Sequence, residues 1–101
     1  MGTKTFDDGG ETRTVEWAEG SGGAATIREV TRGEVTELVY DADAHETVVT
    51  VPDASALGDG GIGRLIDGLG DWWLLADLTD ALDRAGVGYK VTHSKTANGN
   101  A

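Results

Sequence analysis

The pattern of apolar and polar positions divides the chain into a strand-like first half and a helical second half. Before Pro52 the apolar residues are mainly Val, Ile and aromatics interspersed with Thr, a mixture that favours β-strands. Residues 12–17 alternate, with Arg13, Val15 and Trp17 on one side, as expected of a strand with one buried face. Similar runs predict three further strands, over residues 25–31, 34–40 and 46–51.

The second and third of these four strands are separated by Arg32-Gly33, which predicts a tight hairpin because glycine readily adopts a positive φ. Residues 34–40 do not alternate cleanly, so either both faces of this strand are partly covered or a bulge interrupts it. Residues 41–46 have the composition of a turn, and we expect them to form a solvated hairpin tip.

In the second half the apolar period changes to that of helices. A short helix is predicted around residues 62–69, where apolar residues recur at i, i+3, i+4 and i+7. A longer helix is predicted to begin at Asp71, a good N-cap residue. Its apolar stripe comprises Leu74, Leu75, Leu78, Ala81, Leu82 and Ala85. Gly86 and Val87 predict that this helix ends in a Schellman motif, and residues 87–93 are expected to form the last strand.

The predicted elements follow the order ββββ-αα-β, which indicates an α+β domain. We expect a mostly antiparallel sheet of about five strands, with one long and one short helix on one face. A chain of 101 residues favours a single domain. We assign this domain to residues 12–93, with a flexible lead over residues 1–11 and a flexible tail over residues 94–101.

The strongest compositional feature is the excess of acids. The chain has 18 Asp and Glu residues against 8 Lys and Arg, and its formal charge is −10. Asp outnumbers Glu, Arg outnumbers Lys, and large aliphatic residues give way to Gly, Ala, Thr and Val. In this respect the chain resembles the proteins of salt-loving archaea, a likeness of proteome style rather than of family. The likeness implies molar salt, where a Debye length of about 3 Å screens crowded carboxylates, and hydrated monovalent cations at the acidic surface.

The composition disfavours several chemical functions. The chain has no cysteine, which excludes disulfides, thiolate catalysis and Cys-ligated metals and favours a cytoplasmic location. No segment approaches the ~20 consecutive apolar residues of a membrane span. His45 and His93 have no partner readable from the sequence, so we expect neither enzymatic activity nor a cofactor. Residues 41–46 resemble the start of a calcium loop, but the required glycine and final Glu are missing, and no metal site is predicted.

A glycine-rich motif provides an alternative functional hypothesis. Gly58, Gly60 and Gly63 match the G-x-G-x-x-G pattern of dinucleotide-binding loops, and Arg64 follows them. However, six residues separate the motif from the preceding strand, and the strands before it are expected to be antiparallel rather than part of a βαβ unit. A small-ligand or nucleotide-binding domain that uses residues 58–64 is therefore the second hypothesis.

The two predicted helices could form a helix-turn-helix motif. The outer face of the second helix carries Asp77, Asp80 and Asp83, opposed only by Arg84. These carboxylates would repel phosphate, so direct nucleic-acid binding is disfavoured.

The adjacent tryptophans provide the leading hypothesis. On a helical wheel, Trp72 and Trp73 lie about 120° and about 140° from the centre of the apolar stripe. Trp73 would share a face with Asp77 and Asp80, so we expect it to be the more exposed of the two. Either the chain's own loop 53–70 or Trp17 of the predicted strand 12–17 covers the pair, or the pair anchors a contact with another chain.

The leading hypothesis is therefore a small, non-enzymatic interaction or regulatory module that is adapted to high salt. Its expected contact surface comprises Trp72, Trp73, Asp77 and Asp80. The partner is either a second copy of the chain, which would give a homodimer, or another protein.

Overall fold

The computed structural model describes residues 2–20, 23–40, 42–58 and 61–97. Within these residues, five strands form one antiparallel sheet in the order β1-β2-β3-β4-β5. The strands are β1 (Gly2–Asp8), β2 (Glu11–Glu19), β3 (Ala25–Gly33), β4 (Ala42–Val51) and β5 (Lys90–Ala97). The helices are α1 (Glu34–Tyr40), α2 (Gly61–Asp67) and α3 (Leu75–Arg84), and a 3₁₀ turn spans Ser55–Leu57. The predicted α+β class with an antiparallel sheet is confirmed.

The core lies between one face of the sheet and the helices α2 and α3. Residues paired directly across antiparallel strands point to the same side of the sheet. On the core side, one such row crosses all five strands: Gly2, Trp17, Ile27, Val49 and Val91. The helices add buried side chains to the same cluster: Ile62, Ile66, Leu78 and Leu82. Each fully buried aliphatic side chain contributes roughly 1.5–3 kcal/mol.

The opposite face of the sheet is polar. Its exposed residues include Thr5, Thr26, Arg28, Thr50 and Thr92. Threonine favours the extended backbone through its branched Cβ, and its hydroxyl group remains hydrated, so these positions suit exposure to solvent.

The predicted flexible lead is wrong, because residues 2–8 form the edge strand β1. This strand pairs along its whole length with β2, and the turn between them is Gly9-Gly10. Both glycines have positive φ angles, 57° and 95°, which a two-residue hairpin turn requires. Phe6 is buried and ties the strand to the core. Its side chain is the single large apolar group in the segment, which is why alternation alone did not reveal the strand.

Residues 34–40 are helical, so the predicted strand and the hairpin at Arg32-Gly33 are wrong. The strand β3 continues through Gly33, and α1 follows it directly. Thr36 is buried on α1, and its hydroxyl group donates a hydrogen bond to the carboxylate of Glu11 on β2. This contact with a distant part of the chain stabilises a helix that the Val-rich local sequence disfavours.

The remaining boundaries differ from prediction mainly around β4 and β5. The expected hairpin tip at residues 41–46 is wrong from Ala42 onward, since these residues belong to β4. The last strand continues to Ala97, so the tail prediction is wrong for residues 94–97, and residues 98–101 lie outside the described part of the chain.

The end of α3 agrees with prediction. Gly86 has a φ of 72°, and its N–H donates to the carbonyl of Asp83 at 3.1 Å. The N–H of Val87 donates to the carbonyl of Leu82 at 3.0 Å. Together these bonds form the Schellman motif, which confirms the predicted stop.

Candidate functional site

The two tryptophans precede α3 rather than forming its first turn. The N-cap of α3 is Leu74, which has an extended conformation (φ −102°, ψ 160°), so the prediction of Asp71 as the cap is wrong. Exposure alternates along the segment: Trp72 and Leu74 are 54% and 53% exposed, whereas Trp73 is 1% exposed. The prediction that Trp73 is the more exposed residue is therefore wrong. Helical periodicity does not apply here, because successive side chains of an extended segment point to opposite sides.

Both tryptophans pack on Phe6 of the edge strand β1. The Phe6 ring centroid lies 5.1 Å from that of Trp72 and 5.3 Å from that of Trp73, with interplanar angles of 90° and 83°. Edge-to-face pairs of this kind contribute roughly 0.5–1.5 kcal/mol each beyond their buried area. The indole N–H of Trp73 is buried and has no hydrogen-bond partner among the described residues. The burial of Trp73 therefore depends on apolar packing, while Trp72 lies at the rim of the core.

Arg13 of β2 is the buried cation beneath this aromatic cluster. Its guanidinium lies 4.2 Å from the centroid of Phe6 and 5.4 Å from that of Trp72. Nη1 donates to the carboxylate of Glu29 at 3.2 Å, and Nη2 donates to the main-chain carbonyl of Trp73. One side chain thus neutralises a buried acid and fixes the backbone at the tryptophans.

Two further contacts fix the main chain on either side of Trp72. Lys4 of β1 donates to the carbonyl of Gly70 at 3.3 Å. The carboxylate of Asp77 accepts a hydrogen bond from the N–H of Leu74 at 2.8 Å, which caps α3. Asp80 is exposed on α3, as is Asp77.

These residues define what we call the Trp72 surface: Trp72 and Leu74, the adjoining edge strand β1, and the acidic residues Asp71 and Asp77. Of the predicted contact residues, Trp72 remains exposed and Trp73 belongs to the core. Leu74 is exposed in this surface, although the helical pattern predicts it in the apolar stripe of the helix. The role of Arg13 was not predicted, and its position on the apolar side of residues 12–17 was the available signal.

The glycine motif does not offer a free phosphate site. Gly58 ends the 3₁₀ turn with a φ of 76°, Gly60 lies outside the described residues, and Gly63 lies within α2. The backbone N–H of Ile62 donates to the carboxylate of Glu19 at 3.1 Å. A carboxylate of the chain itself thus occupies the helix end where the dinucleotide hypothesis requires a phosphate.

Arg64, which the nucleotide-binding hypothesis also includes, lies on α2. It borders a groove between α2 and α3 together with Arg84, and Leu57, Leu65 and Leu69 are among the other lining residues. The groove has a volume of about 320 Å³.

The two histidines come together on neighbouring strands. The rings of His45 and His93 stack with centroids 5.4 Å apart and an interplanar angle of 28°. The hydroxyl of Thr47 lies 3.2 Å from Nδ1 of His93. Burial lowers the pKa of His45 below its ordinary value, the neighbouring His93 lowers it further, and Glu29 acts in the opposite direction. His45 therefore has a lowered pKa, and its ring lies against that of His93.

Asp41, the first residue of the calcium-loop-like segment 41–46, lies outside the described residues. The described residues of this segment lie in β4, where alternation directs His45 and Glu46 to opposite faces. Glu46 pairs with Arg28 on the polar face. Across the described ranges, no three His, Asp or Glu side chains are grouped as a metal ion would require.

None of the helices in the described parts of the chain is long and apolar enough to cross a membrane. Comparisons of the chain with protein-family models, with curated proteins and with solved structures give no match.

Proposed function

We propose that this chain is a small, non-enzymatic protein-interaction module that binds its partner through the Trp72 surface. The observation that carries the proposal is the side-by-side exposure of two large apolar residues, Trp72 at 54% and Leu74 at 53%. Tryptophan is among the residues that contribute most to binding energy when an interface buries them. Apolar groups that remain this open beside an unpaired strand edge are suited to contact with another chain.

The rigidity of the Trp72 surface supports the proposal. The ring of Trp72 abuts Phe6, and the backbone around it is held by Lys4, Arg13 and Asp77. A side chain that is already ordered loses little conformational entropy on binding, so more of the apolar contact energy contributes to affinity.

The charge distribution indicates the chemistry of the partner. Asp71 and Asp77 flank the apolar pair, and the whole chain carries a formal charge of −10. The best complement is a protein segment with an apolar side chain flanked by Lys or Arg. A second copy of this acidic chain is a poorer complement, although molar salt would screen much of the repulsion. We place the module in a salt-rich cytoplasm on the basis of its composition.

Fluorine NMR can test the proposal, because the chain has three tryptophans and 5-fluorotryptophan labelling should give three resonances. The probes are synthetic peptides with a central Leu or Phe flanked by Lys/Arg, by Asp/Glu or by Ser, added in molar KCl. We expect the basic peptides to shift the Trp72 resonance and the acidic peptides to leave it unchanged. Trp72→Ala should abolish binding, whereas Leu38→Ala, at an apolar site that is 86% exposed on α1, should preserve it.

Two outcomes would contradict the proposal. An unchanged Trp72 resonance with every peptide class would remove the docking role of this surface. If sedimentation instead detects a dimer that Trp72→Ala dissociates, the occupant is a second copy rather than a basic partner.

A further inference from the structure

The groove between α2 and α3 combines an apolar floor with two cations. Leu57, Leu65, Leu69 and Ala81 supply apolar lining, and Arg64 and Arg84 supply the positive charge. This groove is separate from the Trp72 surface in its lining residues and from the end of α2 that Glu19 caps. Its volume of about 320 Å³ corresponds to the lower end of the range for small-ligand pockets, roughly 300–1,000 Å³.

The two arginines of the groove differ from the paired arginines of the sheet. Arg13 and Arg28 each bind a carboxylate. Among the described residues, Arg64 and Arg84 form no ion pair, and both are exposed. Arg32 on β3 is also exposed and has no ion pair within the described part of the chain, but it lies outside the groove. Asp80 precedes Arg84 by one helical turn, a spacing that favours pairing, yet no bond joins them.

Cations are scarce in this chain, so the position of two unpaired arginines at one groove needs a physical explanation. The chain has only 8 Lys and Arg residues against 18 acids, so potential carboxylate partners outnumber the cations. A position near a helix C-terminus accounts for each arginine singly, through the helix dipole. It does not account for two unpaired guanidinium groups that border one leucine-lined groove.

We propose that this groove binds a small amphipathic oxyanion, a molecule with a carboxylate or phosphate head and a short apolar body. Guanidinium groups match both heads because their fork of N–H donors pairs with two oxygens at once. The leucines would cover the apolar body and remove it from water. Molar salt would screen the long-range repulsion between the ligand and the acidic chain while leaving the apolar contact in place.

The test is a titration of ¹⁵N-labelled protein in molar KCl, followed by amide chemical shifts. The probes are octanoate and octyl phosphate. Octanol, octylammonium, acetate and inorganic phosphate serve as controls that lack the anionic head or the apolar body. We expect saturable shifts in α2 and at the end of α3 with the two amphipathic anions only, and the tighter of the two identifies the preferred head group.

Matched variants separate this site from general surface charge. Arg64→Gln and Arg84→Gln should each weaken octanoate binding by roughly tenfold, because each removes a charge-assisted hydrogen bond. Arg32→Gln should leave the affinity unchanged, since Arg32 is exposed on β3 outside the groove. Dispersed amide spectra of all variants would establish that they remain folded.

Three results would overturn the proposal. The first is the absence of saturable shifts with both amphipathic anions. The second is binding of octanol or octylammonium as tight as that of octanoate, which would mean a merely apolar groove. The third is equal weakening by Arg32→Gln, which would mean that the response reflects overall charge.

Discussion

The guanidinium of Arg13 donates a hydrogen bond to the main-chain carbonyl of Trp73, 60 residues further along the chain. The same guanidinium pairs with Glu29 at 3.2 Å, and the side chains of both residues are only 11% exposed. Arg13 therefore couples the sheet to the segment that precedes α3, and it determines where Trp72 emerges.

Removal of Arg13 should be strongly destabilising. Arg13→Ala leaves the buried carboxylate of Glu29 without its counter-charge, and breaking a buried pair in this way costs about 3–5 kcal/mol. The matched control is Arg28→Ala, which breaks the more exposed pair with Glu46 and should cost about 0–1 kcal/mol. Urea unfolding in molar KCl measures both free energies of unfolding. Equal losses for the two variants would contradict the structural role of the buried pair.

The two tryptophans should differ sharply in their effect on stability. Trp73→Ala removes a buried ring and should cost about 3–5 kcal/mol, with a lower melting temperature at every protein concentration. Trp72→Ala removes a half-exposed ring and should cost clearly less, although it loses one edge contact with Phe6. Thermal melts at two concentrations provide the comparison. A larger loss for Trp72→Ala would mean that the assignment of core and surface is reversed.

Asp77 and Asp80, both predicted from the sequence to belong to the contact surface, should differ in their effect on stability. Asp77→Ala removes the carboxylate that accepts the N–H of Leu74 and should cost about 0.3–1.5 kcal/mol. Asp80→Ala, on the same helix with no such bond, should change stability by no more than about 0.5 kcal/mol. Chemical denaturation of the two variants tests this difference. A neutral Asp77→Ala would show that the capping bond contributes nothing.

His45 should make stability depend on pH. Burial, and to a lesser extent His93, lowers the pKa of His45 in the folded state below the ordinary value of 6.5. The unfolded chain therefore takes up its proton first, so this contribution is fully present above pH 6.5 and is lost as the pH falls through the folded pKa. Unfolding at several pH values between about 7.5 and about 5 should show the loss in the wild type and a smaller slope in His45→Gln.

An NMR titration of His45 provides the direct measurement of this effect. His93→Gln should raise the pKa of His45 toward its ordinary value without fully restoring it, because burial is the larger cause. A pKa of His45 at or above 6.5 in the wild type would contradict the prediction.

Salt should stabilise the fold. With a formal charge of −10, the compact state is opposed by its own repulsion in dilute buffer, and molar KCl removes most of that opposition. Circular dichroism from dilute buffer to molar KCl should therefore show a steep gain in stability. The same melting temperature at both ends of the range would contradict adaptation to high salt.

Local sequence determined those features whose physical cause is also local. The stripe of Leu78, Ala81 and Leu82 specifies α3, since helical periodicity is a property of a single segment. Gly86 specifies its end, because the positive φ of the Schellman motif suits glycine. The α+β class followed from the change of period at Pro52. The acidic charge is likewise fixed by composition alone.

Tertiary structure decided the features that depend on partners distant in the chain. Residues 34–40 are helical although their composition favours a strand, and Thr36 on this helix binds Glu11 of β2. The segment before Gly9 becomes a strand because β2 pairs with it.

The geometry of the candidate site also depends on residues that are distant in the chain. Which tryptophan is buried depends on Phe6 and Arg13, neither of which is near the pair in sequence. The carboxylate of Glu19 occupies the end of α2 where a phosphate would bind. Glu19 lies 43 residues before Ile62, whose N–H it accepts. Periodicity describes how a segment presents its own side chains, but it contains no information about which distant groups meet them.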